Sequence, residues 1–312
     1  MEKIDMLVCL VGEQPVPNLL PIRQYKPKEV LLVHSERTKG ISQNLARILS
    51  GVKVHQLMLN NPFDIVKSVV EMLEHFSKIE IRPGTNLAFN ITGGTKAMSQ
   101  AAYIVAQRAR LPLLYLQSEG RDSKFYFYRF DNSLKGLSTS SLDGLSSSTE
   151  EPLSKYLSID DYLQVHGLPK PRYQAPSNPF EEQVSSVLEN EFSEIRRNIR
   201  ITKSLEIDLI VRNRNNYAVA ELKTGKDSRT KSPIDQLVGA TSREFLGTYT
   251  NRILILDQHP SAGNAELAKA YHVTTIVLNG YDSNSKKWRN ARIPESERRK
   301  LIDAVGKIVG KD

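Results

Sequence analysis

The sequence is poor in cysteine, in tryptophan and in long apolar runs. A single cysteine among 312 residues excludes a disulfide framework and a cysteine-built metal site. That residue, Cys9, lies within MLVCLV, where a thiol acts as a small buried hydrophobe. The opening segment, MEKIDMLVCLVGE, holds too short an apolar run for a signal peptide or a membrane span, and no later run is longer, so the expected location is the cytoplasm. Absent too are HExxH, the Walker A spacing, the dinucleotide fingerprint GxGxxG and a Ser-His-Asp arrangement at an exposed turn. Arg252 and His259 have the spacing of HEPN ribonucleases, but that motif belongs on a helix and RILILDQH reads as a strand entering a loop.

What is plentiful is positive charge. Lys and Arg number 43 against 35 Asp and Glu, a net charge of +8, which points to a polyanionic partner because the excess field attracts phosphates. With 39% hydrophobic and 25% charged residues, the composition is that of a folded soluble chain, long enough for two domains with separate cores.

The pattern divides the chain. Up to residue 130, apolar runs at 6–11, 30–34, 52–58, 87–91, 113–117 and 125–130 alternate with amphipathic stretches at 42–49, 63–76 and 96–110. That rhythm predicts an α/β domain with a mostly parallel sheet, closed by an antiparallel hairpin around Glu119-Gly120-Arg121-Asp122. Residues 131–176 read as a Ser-rich then Pro-rich linker with a short helix at 158–166. Residues 177–312 predict a second α/β domain: a helix at 179–190, strands at 195–201, 206–211 and 217–222, a helix at 233–246, strands at 253–257 and 274–278, and a solvated basic tail from 286 that contains Trp288.

Two constellations carry chemistry. In EIDLIVRNRNNYAVAELKTGK, Glu221 and Lys223 share one face of a strand, and a turn centred on Arg214-Asn215 places Asp208 opposite Glu221. Facing carboxylates about 5 Å apart repel unless a cation lies between them, and magnesium or manganese with oxygen ligands meets that need. Charges on strands of Ile, Leu, Val and Ala are costly without such a purpose. In NLAFNITGGTKAMSQ, a strand ends in Gly93-Gly94-Thr95-Lys96 and a helix begins, so free N–H groups, a hydroxyl and a cation converge where open α/β sheets bind anions.

The second-half segment resembles the PD-(D/E)xK nuclease superfamily, with Asp208 as the first acid and Glu221-Leu222-Lys223 as acid-x-lysine. The resemblance implies a restriction-endonuclease-like fold, catalytic Asp208, Glu221 and Lys223, and a helix carboxylate at the metal. Glu181, after Phe180, matches that last position, with Glu182 its rival; Asn178-Pro179-Phe180-Glu181 is equally a capping box with a purely structural purpose. LVGEQPVPNLLPI, HSERTKG and NITGGTKAM together resemble the CRISPR-associated Rossmann-fold (CARF) domain, and the whole chain is similar to the ancillary nucleases of type III CRISPR systems. This implies a homodimer that binds cyclic tetra-adenylate through Asn90, Thr92, Gly93, Gly94, Thr95 and Lys96, with Gln14, Thr38 and Lys39 as further contacts. It also implies ligand-activated hydrolysis of DNA, and of RNA as a second substrate. A non-enzymatic DNA-binding regulator and a constitutive endonuclease are the competing readings.

Overall fold

Runs of Val, Leu and Ile flanked by amphipathic helices can bury both faces of a sheet only when helices cover each side, and the first half of the chain is built on that plan. The computed structural model describes residues 3–79, 81, 83–119, 122–130, 145–168, 178–203, 205–242, 245–247, 250–279 and 293–310. They fall into two compact units, Met1–Tyr156 and Leu157–Asp312. Among the described residues no helix is long and apolar enough to cross a membrane.

The first unit runs β1 (Met6–Leu10), α1 (Val16–Tyr25), β2 (Glu29–His34), α2 (Lys39–Ile48), β3 (Lys53–Met58), α3 (Ile65–Lys78), β4 (Leu87–Asn90), α4 (Lys96–Ala109), β5 (Leu113–Glu119), β6 (Asp122–Phe130) and β7 (Leu145–Pro152). The strand order is β3-β2-β1-β4-β5-β6-β7, parallel as far as β5 and antiparallel across the last two joints. From β1 the chain winds outward to β2 and β3, then returns to β4 on the other side, so the winding reverses between β1 and β4. Met6, Val8 and Leu10 of β1 pack with Met72 of α3 and Met98, Ala102 and Val105 of α4. Cys9 is sealed within the sheet, and burial pushes its thiol up to about 12 despite a hydrogen bond with Asn90.

Two features of this unit depart from the sequence reading. Helix α1 forms although Pro17 and Pro21 discourage it, because Leu19, Leu20 and Ile22 are buried. Pro21 has no N–H to offer the Pro17 carbonyl, and the Asn90 side chain takes that carbonyl instead, at 3.0 Å. Strand β7 lies in the stretch read as linker; it pairs with β6 from Phe130↔Leu145 to Lys124↔Pro152. The hairpin is present, with Glu119 opposite Asp122. Residues 131–144 and 169–177 of the expected linker lie outside the described residues.

The second unit runs α5 (Ile159–Val165), α6 (Pro179–Glu189), β8 (Glu194–Arg200), β9 (Glu206–Asn213), β10 (Asn216–Lys223), a 3-10 turn (Gly225–Arg229), α7 (Ser232–Ala240), β11 (Asn251–Leu256), α8 (Ala262–Ala270), β12 (Val273–Val277) and α9 (Glu295–Val309). The order β12-β11-β10-β9-β8 joins an antiparallel meander to a parallel trio. Phe180, Val184 and Leu188 of α6 and Leu301, Val305 and Val309 of α9 pack with Leu209, Val211, Ala218, Ala220 and Leu222. By alternation, Asp208, Glu221 and Lys223 belong to the opposite face. The short helix at 158–166 is α5, with Ile159, Leu163 and Val165 fully buried. Helix α7 stops at Ala240 rather than 246, and α9 is a packed helix rather than a solvated one, since Leu301, Val305 and Val309 repeat at helical spacing on its buried side. Trp288 lies outside the described residues.

Candidate ligand loop and candidate nuclease site

In the first unit, Asn90 ends β4 and the other eight residues expected to contact a ligand follow the carboxyl ends of β1, β2 and β4, beside the point where the winding reverses. Open α/β sheets leave a crevice there. The loops after β1 and β4 touch through glycine: a Cβ on Gly93 would stand 2.2 Å from the Leu10 carbonyl oxygen, and one on Gly12 would stand 3.0 Å from Gly94 N. Gly94 adopts φ +78°, which turns the chain into α4.

Beneath this turn lies a polar frame. Asn90 is fully buried, donating to Pro17 O and to Asn18 Oδ1, both at 3.0 Å, while its Oδ1 accepts the Thr92 hydroxyl at 2.6 Å. Thr92 Oγ1 in turn accepts Leu116 N at 2.8 Å, and Asn18 Nδ2 donates to Leu10 O at 3.0 Å. Asn18 was not anticipated; the only sequence signal is an amide inside the apolar run NLLPI. Thr95 caps α4, accepting Met98 N at 3.1 Å and donating to Pro62 O at 2.6 Å. Thr38 is buried and exchanges cap bonds with Ser35. Asn90, Thr38 and Thr95 therefore hold the frame. Lys96 is exposed at the first position of α4, Lys39 is exposed beside Glu36 at 3.5 Å, and Gln14 is half-buried in the β1–α1 loop. Free amides at a helix start, with cations above them, suit a phosphate-bearing ligand.

In the second unit the hairpin register is as the turn required. Arg214 takes φ +52°, and the pairs run from Asn216↔Asn213 to Ala220↔Leu209, the next step being Glu221 and Asp208. Asp208 Oδ2 accepts Leu222 N at 2.8 Å and Lys223 Nζ at 2.9 Å. The same Nζ lies 2.6 Å from Glu221 Oε1, so one ammonium binds both carboxylates. The Glu221 side chain is 2% exposed and that of Lys223 24%. Burial, reinforced by the Asp208 charge and opposed by Lys223, pushes the Glu221 carboxyl up to about 8. Burial pulls Lys223 down, but the charges of Glu221 and Asp208 outweigh it, and the ammonium stays protonated well into the alkaline range.

Glu181 is buried, its Oε1 accepts Asn178 Nδ2 at 2.6 Å, and its amide donates to Asn178 Oδ1 at 3.1 Å. Glu182 is exposed. Among the described residues, no three His, Cys, Asp or Glu side chains gather into a metal cage. Asp208 and Glu221 nevertheless fit a hard divalent cation. Glu221 Oε1 is buried without a hydrogen bond of good geometry, and magnesium is commonly held by one or two carboxylates with water completing its shell.

Residues 6–136 match the family model of the Card1 CARF domain. The first unit is thus a CARF domain, a Rossmann-like module with a mostly parallel sheet. Among solved structures, Can2 from Sulfobacillus thermosulfidooxidans, determined in complex with cyclic tetra-adenylate, aligns at a TM-score of 0.67 and 16% identity over 96% of this chain and 99% of that one. Protein VC1899 from Vibrio cholerae aligns at 0.68 and 10% identity over 98% and 99%. A type III CRISPR defence DNA nuclease activated by cyclic oligoadenylate aligns at 0.59 and 16% identity over 96% of this chain, which spans 52% of that protein. These likenesses define the fold of both units as Can2-like. No curated protein matches the chain.

Proposed function

We propose that this chain is a nuclease of type III CRISPR defence, switched on by cyclic tetra-adenylate bound at the Gly93-Gly94-Thr95-Lys96 turn. In this reading it hydrolyses phosphodiester bonds in DNA, by nicking or single-strand cleavage, with RNA a second substrate. The observation that carries the reading is the hold of Lys223 Nζ on both Asp208 and Glu221 at the end of the β9–β10 hairpin, in a chain whose first unit is a CARF domain. Asp208 and Glu221 would hold magnesium or manganese, with Glu181 as the third carboxylate that the family pattern implies; when bound, the metal would supply a more acidic water and neutralise phosphate charge.

The protein's own groups do the positioning. Leu222 N fixes the Asp208 carboxylate, and Lys223 Nζ offers protons to a non-bridging phosphate oxygen as charge builds there. In the first unit, Lys39 and Lys96 meet ligand phosphates while Gln14 and the glycine amides supply directional hydrogen bonds, and Thr92 braces the turn from Asn90. A ligand of this kind activates only if it binds the cutting state more tightly than the resting one.

The dimeric state has support from α3. Phe63, in the turn just before α3, is 76% exposed, and Val66 (72%), Val70 and Leu73 continue its apolar stripe along the helix at helical spacing. The stripe begins one residue after Pro62, the carbonyl that receives the Thr95 hydroxyl, so a second copy seated there would adjoin the ligand turn.

The decisive assay is cleavage of supercoiled plasmid, single-stranded DNA and RNA with manganese, with and without cyclic tetra-adenylate, alongside Asp208→Ala. Cutting that needs both ligand and Asp208 is the expected result. Cutting that ignores the ligand would favour a constitutive endonuclease, and ligand binding without cutting would favour a regulator.

A further inference from the structure

The segment after Lys223 carries cations in a setting unusual for a surface loop. Lys223, Lys226, Arg229 and Lys231 fall within nine positions, with Asp227 the sole acid among them. Exposed basic loops generally move freely; this one is tied down by a single neighbouring segment. Asp257, just past β11 and only 8% exposed, accepts Gly225 N at 2.8 Å through Oδ2 and lies 2.6 Å from the Ser228 hydroxyl through Oδ1. Gln258 Nε2 donates to Gly225 O, and Asn264 Nδ2 donates to Arg229 O at 2.7 Å. Ser228 Oγ also stands 2.9 Å from the Lys223 carbonyl, which ties the turn to the lysine that holds Asp208 and Glu221.

The turn is a 3-10 helix from Gly225 to Arg229, in which residues three apart eclipse one another. Lys226 and Arg229 are three apart and both exposed, so their side chains leave from the same side while Ser228 is buried. Lys231 is occupied by Asp235 at 3.3 Å, whereas Lys226 and Arg229 enter no ion pair among the described residues. A buried carboxylate and two amides thus immobilise two unneutralised cations a few residues from the candidate catalytic lysine.

We infer that Lys226 and Arg229 form a fixed contact for two backbone phosphates of the nucleic acid presented to Lys223, and that Asp257 is the positioning residue that holds this contact in place. The inference rests on the nuclease reading and adds to it a substrate-binding surface. Phosphate contacts release counterions, so each contributes about 0.7 to the slope of log affinity against log salt for a single strand and about 0.9 for a duplex.

The test uses the full chain in an Asp208→Asn background to prevent cleavage, with cyclic tetra-adenylate present. A fluorescein-labelled single strand and its duplex are titrated across a series of KCl concentrations. Lys226→Ala with Arg229→Ala is expected to lower the slope by about 1.4 on the single strand and about 1.8 on the duplex. Lys226→Arg with Arg229→Lys is expected to keep it. Asp257→Asn, which retains both cations, is expected to weaken binding; should that variant not fold, Asn264→Ala replaces it. Salt-dependent binding whose slope survives loss of both cations would overturn the contact while leaving the nuclease reading intact. A full slope and unchanged affinity in the folded anchor variant would overturn the role of Asp257. No binding of either probe by the parent would overturn the nuclease reading and the contact together.

Discussion

Glu221 is the residue on which the second unit's chemistry and stability meet. Its carboxyl is raised from 4.5 to about 8, so the folded chain holds the proton more tightly than the unfolded one. The stability this provides is complete below about pH 4.5 and is lost as the pH rises through about 8. Thermal unfolding in chelator is expected to show the melting temperature falling across that window, with Glu221→Gln largely removing the fall; a variant that tracks the parent throughout would contradict the assignment. Lys223→Ala has a different expected signature. It removes the group proposed to stabilise developing phosphate charge, and ligand-activated cutting is expected to drop by roughly 10²- to 10³-fold, read as initial rates on plasmid. The Asp208, Glu221 and Lys223 arrangement was legible because a two-residue period and one turn position fix a hairpin register. Asn90 and Thr38 were legible as polar residues near the carboxyl ends of their strands, but their burial was not, since sequence does not say which polar side chains spend their bonds inside.

At the scale of elements, the glycine contact between the β1 and β4 loops has the sharpest consequence. Gly93→Ala would push a methyl group against the Leu10 carbonyl, a backbone atom that cannot rotate away. The expected cost is roughly 2 kcal/mol, within the usual range for overpacking, together with loss of cyclic tetra-adenylate binding. Calorimetry on the ligand and a melting curve check both, and an unchanged pair would remove this turn from the ligand site. The elements that escaped the sequence reading did so for separate reasons. Two prolines hid α1, whose missing backbone bond is made good by a side chain from β4. Serines hid β7, where pairing along β6 outweighs weak strand propensity. The burial of α9 shows only when Leu301, Val305 and Val309 are seen against the sheet, because the surrounding Lys and Arg dominate the local composition.

For the molecule as a whole, the open question of assembly reduces to what covers α3. Phe63, Val66, Val70 and Leu73 are exposed in the single chain, and the dimer proposed above would cover them. Val66→Glu with Val70→Glu is expected to convert the dimer to a monomer in sedimentation velocity, and to weaken cyclic tetra-adenylate binding in step. A parent that sediments as a monomer at all concentrations would sink this view. The division into two units was legible from the change of rhythm after residue 130. The place of the division was less so, because β7 belongs to the first sheet and α5 to the second unit.

The sealed position of Cys9 has a practical corollary. A thiol raised to about 12 and shut inside a sheet is inert to maleimides at neutral pH, so the native chain is, for labelling purposes, a cysteine-free protein. One cysteine introduced on the surface of each unit would then be the only pair to accept dyes, and energy transfer between them could follow the two units as ligand arrives without any alteration to the native core.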